Sequence, residues 1–171
     1  MAKIDKWKSS KPDTLKIEWA AVENELGFEL HDSLKNFYSR ITAKSFKDMM
    51  KFDHKGFVKK YVNRADWLEG ANGSAPKVGY ELYPLENTDT EYCKAFFKDM
   101  FFGDWTGGND FGRRILIGEI FLNIGQVYLV FNNDSGDFEW VDLGWGYCDV
   151  YEDNPYGIVA DTVEEFLEVF G

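Results

Sequence analysis

The stretch VYLVFNNDSGDFEWVD, residues 127–142, limits the folds open to this chain more than any other segment. Two runs rich in Val, Tyr, Phe and Trp flank a cluster of Asn, Asp, Ser and Gly. Branched and aromatic side chains suit a pleated surface, and the central cluster suits a reversal of direction. Asn and Asp tolerate left-handed backbone, and Gly136 can take positive φ because it has no Cβ. The segment therefore predicts a β-hairpin with strands over 127–131 and 137–142. The same residues invite comparison with a calcium loop, which needs ligand oxygens at positions 1, 3 and 5, glycine at 6 and a bidentate carboxylate at 12. With Gly136 at position 6, Phe131 falls at 1, Asn133 at 3, Ser135 at 5 and Asp142 at 12. Phenylalanine cannot ligate, and the flanks read as strands where an EF-hand needs helices. A turn that binds no metal is expected.

Around the hairpin the hydrophobic periods are helical first and strand-like later. Leu15, Trp19, Val22 and Leu26 form one stripe of a helix over 14–26, with Asp13 or Thr14 as its cap and Gly27 at its end. Leu34, Phe37 and Ile41 do the same over 32–41, with Asp32 or Ser33 as cap, and the short connection makes an αα-hairpin. Residues 43–70 stay helical in period, with Val58, Tyr61, Val62, Ala65 and Leu68 at 3/4 spacing, before the loop ANGSAP. A strand is expected within 77–85. A helix follows, opened by a capping box of Thr88 and Glu91, with Tyr92, Phe96, Phe97 and Met100 inward. After the loop GDWTGGND come the strand RRILIGEI, the hairpin and a short strand near 146–151. Thr162 and Glu165 then cap a last helix carrying Val163, Phe166, Leu167 and Phe170. Helices first, mostly antiparallel strands next and a closing helix indicate an α+β fold. An N-terminal helical hairpin should pack on the sheet. At 171 residues one domain over 1–171 is expected, long enough to bury a core.

Charge is distributed unevenly. The first 114 residues hold 19 basic and 18 acidic side chains, a net of +1, and the last 57 hold twelve acidic and no basic ones, a net of −12. Such a field opposes direct binding to a nucleic-acid backbone and favours a basic partner, acting over a Debye length of about 8 Å. No run approaches the ~18 apolar residues of a membrane span, and the first residues lack the apolar core of a secretion signal. A soluble, cytoplasmic protein without membrane attachment is expected.

The motifs of catalysis are sparse. His31 and His54 are the only histidines and share no metal-ligand spacing, so each is expected at the surface. Cys93 and Cys148 match no zinc or redox pattern, and both are expected to be small buried residues. There is no nucleophile elbow and no phosphate loop. Asp104 and Asp110, flanking Trp105 and two glycines, are the best placed carboxylates for hydrolytic acid/base work. The aromatic residues Trp140, Trp145, Tyr147, Tyr151 and Tyr156 mix with acids and glycines, an interface composition if they are not core.

Four segments in order carry a family resemblance. IEWAAVENELGFELHDSLKNFY, ILIGEI with Gly125 after it, VYLVFNNDSGDFEWVD and IVADTVEEFLEVF resemble the SUKH superfamily, the Smi/Knr-type cell-wall-assembly regulators. The first is similar to the family's opening I-x-x-x-E-x-x-L-G-x-x-L-P-x-x-h-K-x-F, with His31 standing where the family has proline. The family's N-G-G is displaced to ANGSAP by a helical insertion over 43–76. The resemblance implies an α+β domain that binds proteins, in bacteria commonly as an immunity protein that neutralises a secreted polymorphic toxin, often a nuclease. It implies no enzymatic activity and no cofactor. A regulatory adaptor of the same fold and a hydrolase using Asp104 and Asp110 are the alternatives. The partner surface expected from charge and aromatic content comprises Asp134, Asp137, Glu139, Asp142, Trp145, Tyr147, Asp149, Glu152 and Asp153.

Overall fold

The computed structural model describes residues 16–40, 50–52, 78–121, 126–142 and 156–170. In chain order these form α1 (Trp19–Leu26), α2 (Asp32–Arg40), β1 (Met50–Phe52), β2 (Val78–Leu82), α3 (Thr90–Phe102), β3 (Arg114–Phe121), β4 (Gln126–Asn132), β5 (Phe138–Asp142), β6 (Tyr156–Ala160) and α4 (Val163–Phe170), with a single 3-10 turn at Asp104–Thr106. The strands make one six-stranded sheet in the order β1-β2-β3-β4-β5-β6. Every pairing is antiparallel, so the sheet is a meander. The α+β class is as the sequence predicts.

Alternation along β4 divides the core into two layers. Val127, Leu129 and Phe131 join the larger cluster with the helices, while Tyr128 and Val130 point into a smaller one with Trp105, Phe111, Leu116 and Val141. All five are buried, as a central strand covered on both faces requires. In the larger cluster the aromatic rings interlock. Phe166 of α4 stacks on Phe138 of β5 at 4.4 Å between centroids, and Phe37 of α2 meets both rings. Trp19 of α1 meets Phe97 of α3 edge-on at 5.6 Å. Phe166 is fully buried, whereas Trp19 is only partly so.

Several element ends and caps differ from those the sequence predicts. The first helix begins at Trp19, not at 14, and Glu18 at its start makes no side-chain cap bond. Gly27 ends it in the left-handed conformation at φ 80°, as expected. The α2 cap is His31, whose Nδ1 accepts the Ser33 N–H at 3.2 Å, in place of Asp32 or Ser33. Residues 50–52, inside the stretch read as helical, form strand β1 against β2. The cap of α3 is Asp89, which accepts the Glu91 and Tyr92 N–H groups at 3.1 Å each, and not Thr88. A carboxylate shorter by one methylene than glutamate suits that reach, and its charge favours the positive helix end. The buried face of α3 is Cys93, Phe97 and Phe101, with Tyr92, Phe96 and Met100 packed at its edges. At α4, Thr162 accepts the Glu165 N–H as the capping box requires, and the Glu165 carboxylate also accepts the N–H of Asp161. The short strand expected near 146–151 and the remainder of the 43–76 stretch lie outside the described residues; the sixth strand is Tyr156–Ala160.

Two glycines bind the sheet together by what they lack. Between Leu116 and Gly118 the β3–β4 register shifts by one residue, a bulge across which Ile115, Ile117 and Ile120 all join the larger cluster. A Cβ on Gly118 would collide with the Glu81 carbonyl of β2. A Cβ on Gly157 would strike the Trp140 indole, which lies across β6 at that point.

Candidate functional site

The β4–β5 turn is held by its own side chains. Asn132 Oδ1 accepts the N–H groups of Asp134 (3.0 Å) and Ser135 (3.3 Å), and Gly136 donates to the Asn132 carbonyl at 2.8 Å. Gly136 has φ 83°. Asn133 turns inward: its Oδ1 accepts the His31 N–H at 2.8 Å and its Nδ2 donates to the Glu29 carbonyl at 2.9 Å. The amide oxygens of Asn132 and Asn133 are thus taken up by main-chain donors. His31, expected at the surface, instead packs beside Phe131 at 5.8 Å between centroids.

Of the nine residues proposed for a partner surface, the structure places the side chains of three. Asp134 is exposed and faces Arg113 at 3.3 Å. Asp137 is half-buried at the start of β5. Glu139 is 6% exposed and belongs to the sheet: Arg114 donates to it at 2.5 Å and Asn132 Nδ2 at 3.0 Å. A partner cannot reach that carboxylate without breaking the pair. Asp142 is described only as the backbone partner of Val127, and Trp145, Tyr147, Asp149, Glu152 and Asp153 lie outside the described residues. The charge division along the chain is partly closed in space, because Arg40, Arg113 and Arg114 pair with Glu164, Asp134 and Glu139.

A second region lies beside the smaller core layer. A pocket of about 260 Å³ is lined by the aromatic residues Tyr83, Trp105 and Tyr128, by Met100 and Leu116, and by Asp104 and Glu119. The Trp105 indole N–H donates to the Met100 carbonyl at 2.9 Å, its ring stacks on Phe111 at 5.2 Å, and it meets Tyr128 edge-on at 5.8 Å. The tryptophan is therefore fixed in place. Glu119 sits opposite Glu81 in the β2–β3 register and accepts a hydrogen bond from the Tyr83 hydroxyl. Burial raises the Glu119 carboxyl above its ordinary value, the Tyr83 bond opposes this, and the Glu81 charge adds to it. Burial, with the Glu119 and Glu81 charges, likewise pushes the Tyr83 phenol up. Asp104 lines this pocket; Asp110 does not, and its carboxylate instead accepts the Gly112 N–H at 2.8 Å. The sequence pairing of Asp104 with Asp110 thus gives way to Asp104 with Glu119. A signal for Glu119 was present, as the one charge inside the run ILIGEI.

Cys93 is buried on α3, where burial and then the Asp89 charge raise its thiol above the ordinary value. Such a thiol is a poor nucleophile. Among the described residues no group of three or more His, Cys, Asp or Glu side chains could hold a metal ion, and no helix is long and apolar enough to cross a membrane.

These features define an α+β protein with helices on one face of an antiparallel meander and an acidic, aromatic pocket beside the other. Compared with protein-family models, with curated proteins and with solved structures, the chain finds no match in any of the three.

Proposed function

We propose that the protein is a non-enzymatic, SUKH-like binding domain that acts in the cytoplasm as an immunity protein, neutralising a basic toxin domain. The observation that carries the reading is how the residues of the opening motif work together. Glu23 accepts the Leu30 N–H at 2.8 Å and pairs with Lys35 at 2.6 Å, Gly27 supplies the left-handed turn, and Phe37 enters the core. The motif is thus a folding unit for the αα-hairpin, and the other three resembling segments supply β3, the β4–β5 hairpin and the β6–α4 corner in the family's order. Antiparallel sheets with helices on one face leave loops and strand ends free for partners. The acidic residues of the last third supply charge complementarity to a basic partner.

The test is surface-plasmon kinetics against the toxin domain encoded beside the gene. Nanomolar binding with inhibition of the toxin's activity is the expected result. Trp145→Ala or Tyr147→Ala should raise the dissociation rate at least tenfold, as loss of a buried aromatic anchor does. Absence of binding to that neighbour would remove the immunity reading and leave a regulatory adaptor of the same fold.

A further inference from the structure

We propose that the pocket between Trp105 and Glu119 is a binding site for a single organic cation, an alkylammonium or guanidinium group on a flexible apolar stem. Its walls and its charge point the same way. Among the described residues, the only charged ones lining it are Asp104 and Glu119. Among the described residues no lysine or arginine forms an ion pair with either of them or with Glu81.

Like charges directly opposite each other on neighbouring strands destabilise a sheet. Glu81 and Glu119 are such a pair, retained next to a cavity. A cation seated there would relieve the repulsion. Aromatic faces attract cations through their quadrupole, most strongly for tryptophan, and the attraction grows as water is excluded. Trp105 is 8% exposed and locked through the Met100 carbonyl, so the wall is preorganised and little ordering entropy opposes binding. Met100 and Leu116 supply apolar contact for a stem. The cavity of about 260 Å³ falls below the ~300–1,000 Å³ typical of drug-sized ligands, which suits one cationic chain and not a larger molecule.

A free small amine and a lysine or arginine side chain of a protein partner share this chemistry. The inference does not depend on the immunity reading, and its test needs no toxin. The full chain, labelled with nitrogen-15, is titrated with n-butylammonium, with Nα-acetyl-lysine methylamide and with the Nε-acetylated, neutral form of the latter. The Trp105 indole N–H, assigned through Trp105→Phe, is the reporter. Saturable shifts of that signal by a cation, at least tenfold tighter than by the neutral compound, are expected. Binding by both cations points to a protein side chain, and binding by butylammonium alone points to a free amine. Glu119→Gln keeps the Tyr83 hydrogen bond and should weaken cation binding at least tenfold while leaving the amide spectrum dispersed. If neither cation surpasses the neutral compound, or if Glu119→Gln binds equally well, the proposal fails.

Discussion

Asn133 accepts the main-chain N–H of His31 across 102 residues of chain, at 2.8 Å, and donates from the other end of the same amide to the Glu29 carbonyl. One side chain thereby fastens the β4–β5 turn to the connection between α1 and α2. Asn133 is 6% exposed, so truncation leaves a donor and an acceptor with little access to water. Leaving such groups unsatisfied costs about 1–3 kcal/mol. Asn133→Ala is expected to destabilise by roughly 2–3 kcal/mol, read as a lower urea midpoint at unchanged slope. Asn133→Asp keeps the acceptor but sets a buried carboxylate oxygen against the Glu29 carbonyl, and at neutral pH should destabilise at least as much as alanine. A loss below about 0.5 kcal/mol for the alanine variant would show that the two turns are not coupled through this amide.

The same junction sets the cost of Gly136. Its φ of 83° is unfavourable for any residue with a Cβ, and an added Cβ would lie 2.6 Å from His31 Cε1. Gly27 has a similar φ of 80° with nothing within 4 Å. Gly27→Ala therefore meets the backbone penalty alone, about 1–2 kcal/mol, and Gly136→Ala should exceed it. In a His31→Ala background the steric part disappears, and Gly136→Ala should cost no more than Gly27→Ala. A double-mutant cycle by chemical denaturation measures the difference. Equal costs in both backgrounds would place the imidazole away from the turn.

How much of this was legible beforehand depends on the range of the interaction. The burial of Phe166 was legible, since it lies on the apolar stripe of a strongly periodic helix, but its partner Phe138 was not. The hairpin was legible because turn chemistry is local. The caps at His31 and Asp89 were missed by one residue. Neighbouring side chains of similar capacity compete for the same N–H groups, and backbone geometry decides which wins. Strand β1 was misread because three residues that pair with Val78–Tyr80 carry no period of their own. The pocket was invisible for a different reason. Tyr83, Asp104, Glu119 and Tyr128 come from β2's end, a 3-10 turn, β3 and β4, and only the sheet register brings them together. The bond between Asn133 and His31 belongs with these, as a long-range consequence of two turns meeting.

Glu119 makes a pH prediction with a definite sign. Its carboxyl is raised by burial and by Glu81, against the pull of the Tyr83 hydroxyl, with Asp104 and Tyr128 as the other titratable groups at the pocket. A raised value means that the folded state binds the proton more tightly than the unfolded chain does. The associated stability is present in full below the ordinary glutamate value of about 4.3 and is lost as pH rises through the raised value. Above the raised value the ionised side chain is thus a net burden. Glu119→Gln should raise the melting temperature near neutrality, and the gain should vanish below about pH 4. Calorimetric melts of both proteins across that range decide the matter. A variant less stable at pH 7 would mean that the carboxylate is satisfied in the folded state.

Association with the proposed basic partner should depend on Arg113. This arginine stands over the Phe28 ring at 5.1 Å and pairs with Asp134 at 3.3 Å, with both charged ends about half exposed. An exposed pair of this kind contributes little to stability, so removing it should leave the fold intact. Its effect on the field is larger, because Arg113 offsets negative charge at the tip of the β4–β5 hairpin. If that acidic tip steers a basic partner, Arg113→Ala should speed association several-fold at about 50 mM salt. Asp134→Lys with Asp137→Lys should slow it by a similar factor. Both effects should shrink toward wild type at about 500 mM, where the Debye length falls well below that at physiological salt, and dissociation rates should change less than association rates. Surface-plasmon kinetics on the three proteins over a salt series supplies the measurement. Opposite-signed substitutions that shift the association rate in the same direction, or not at all, would show that the partner docks elsewhere, with the charge at this tip serving solubility alone.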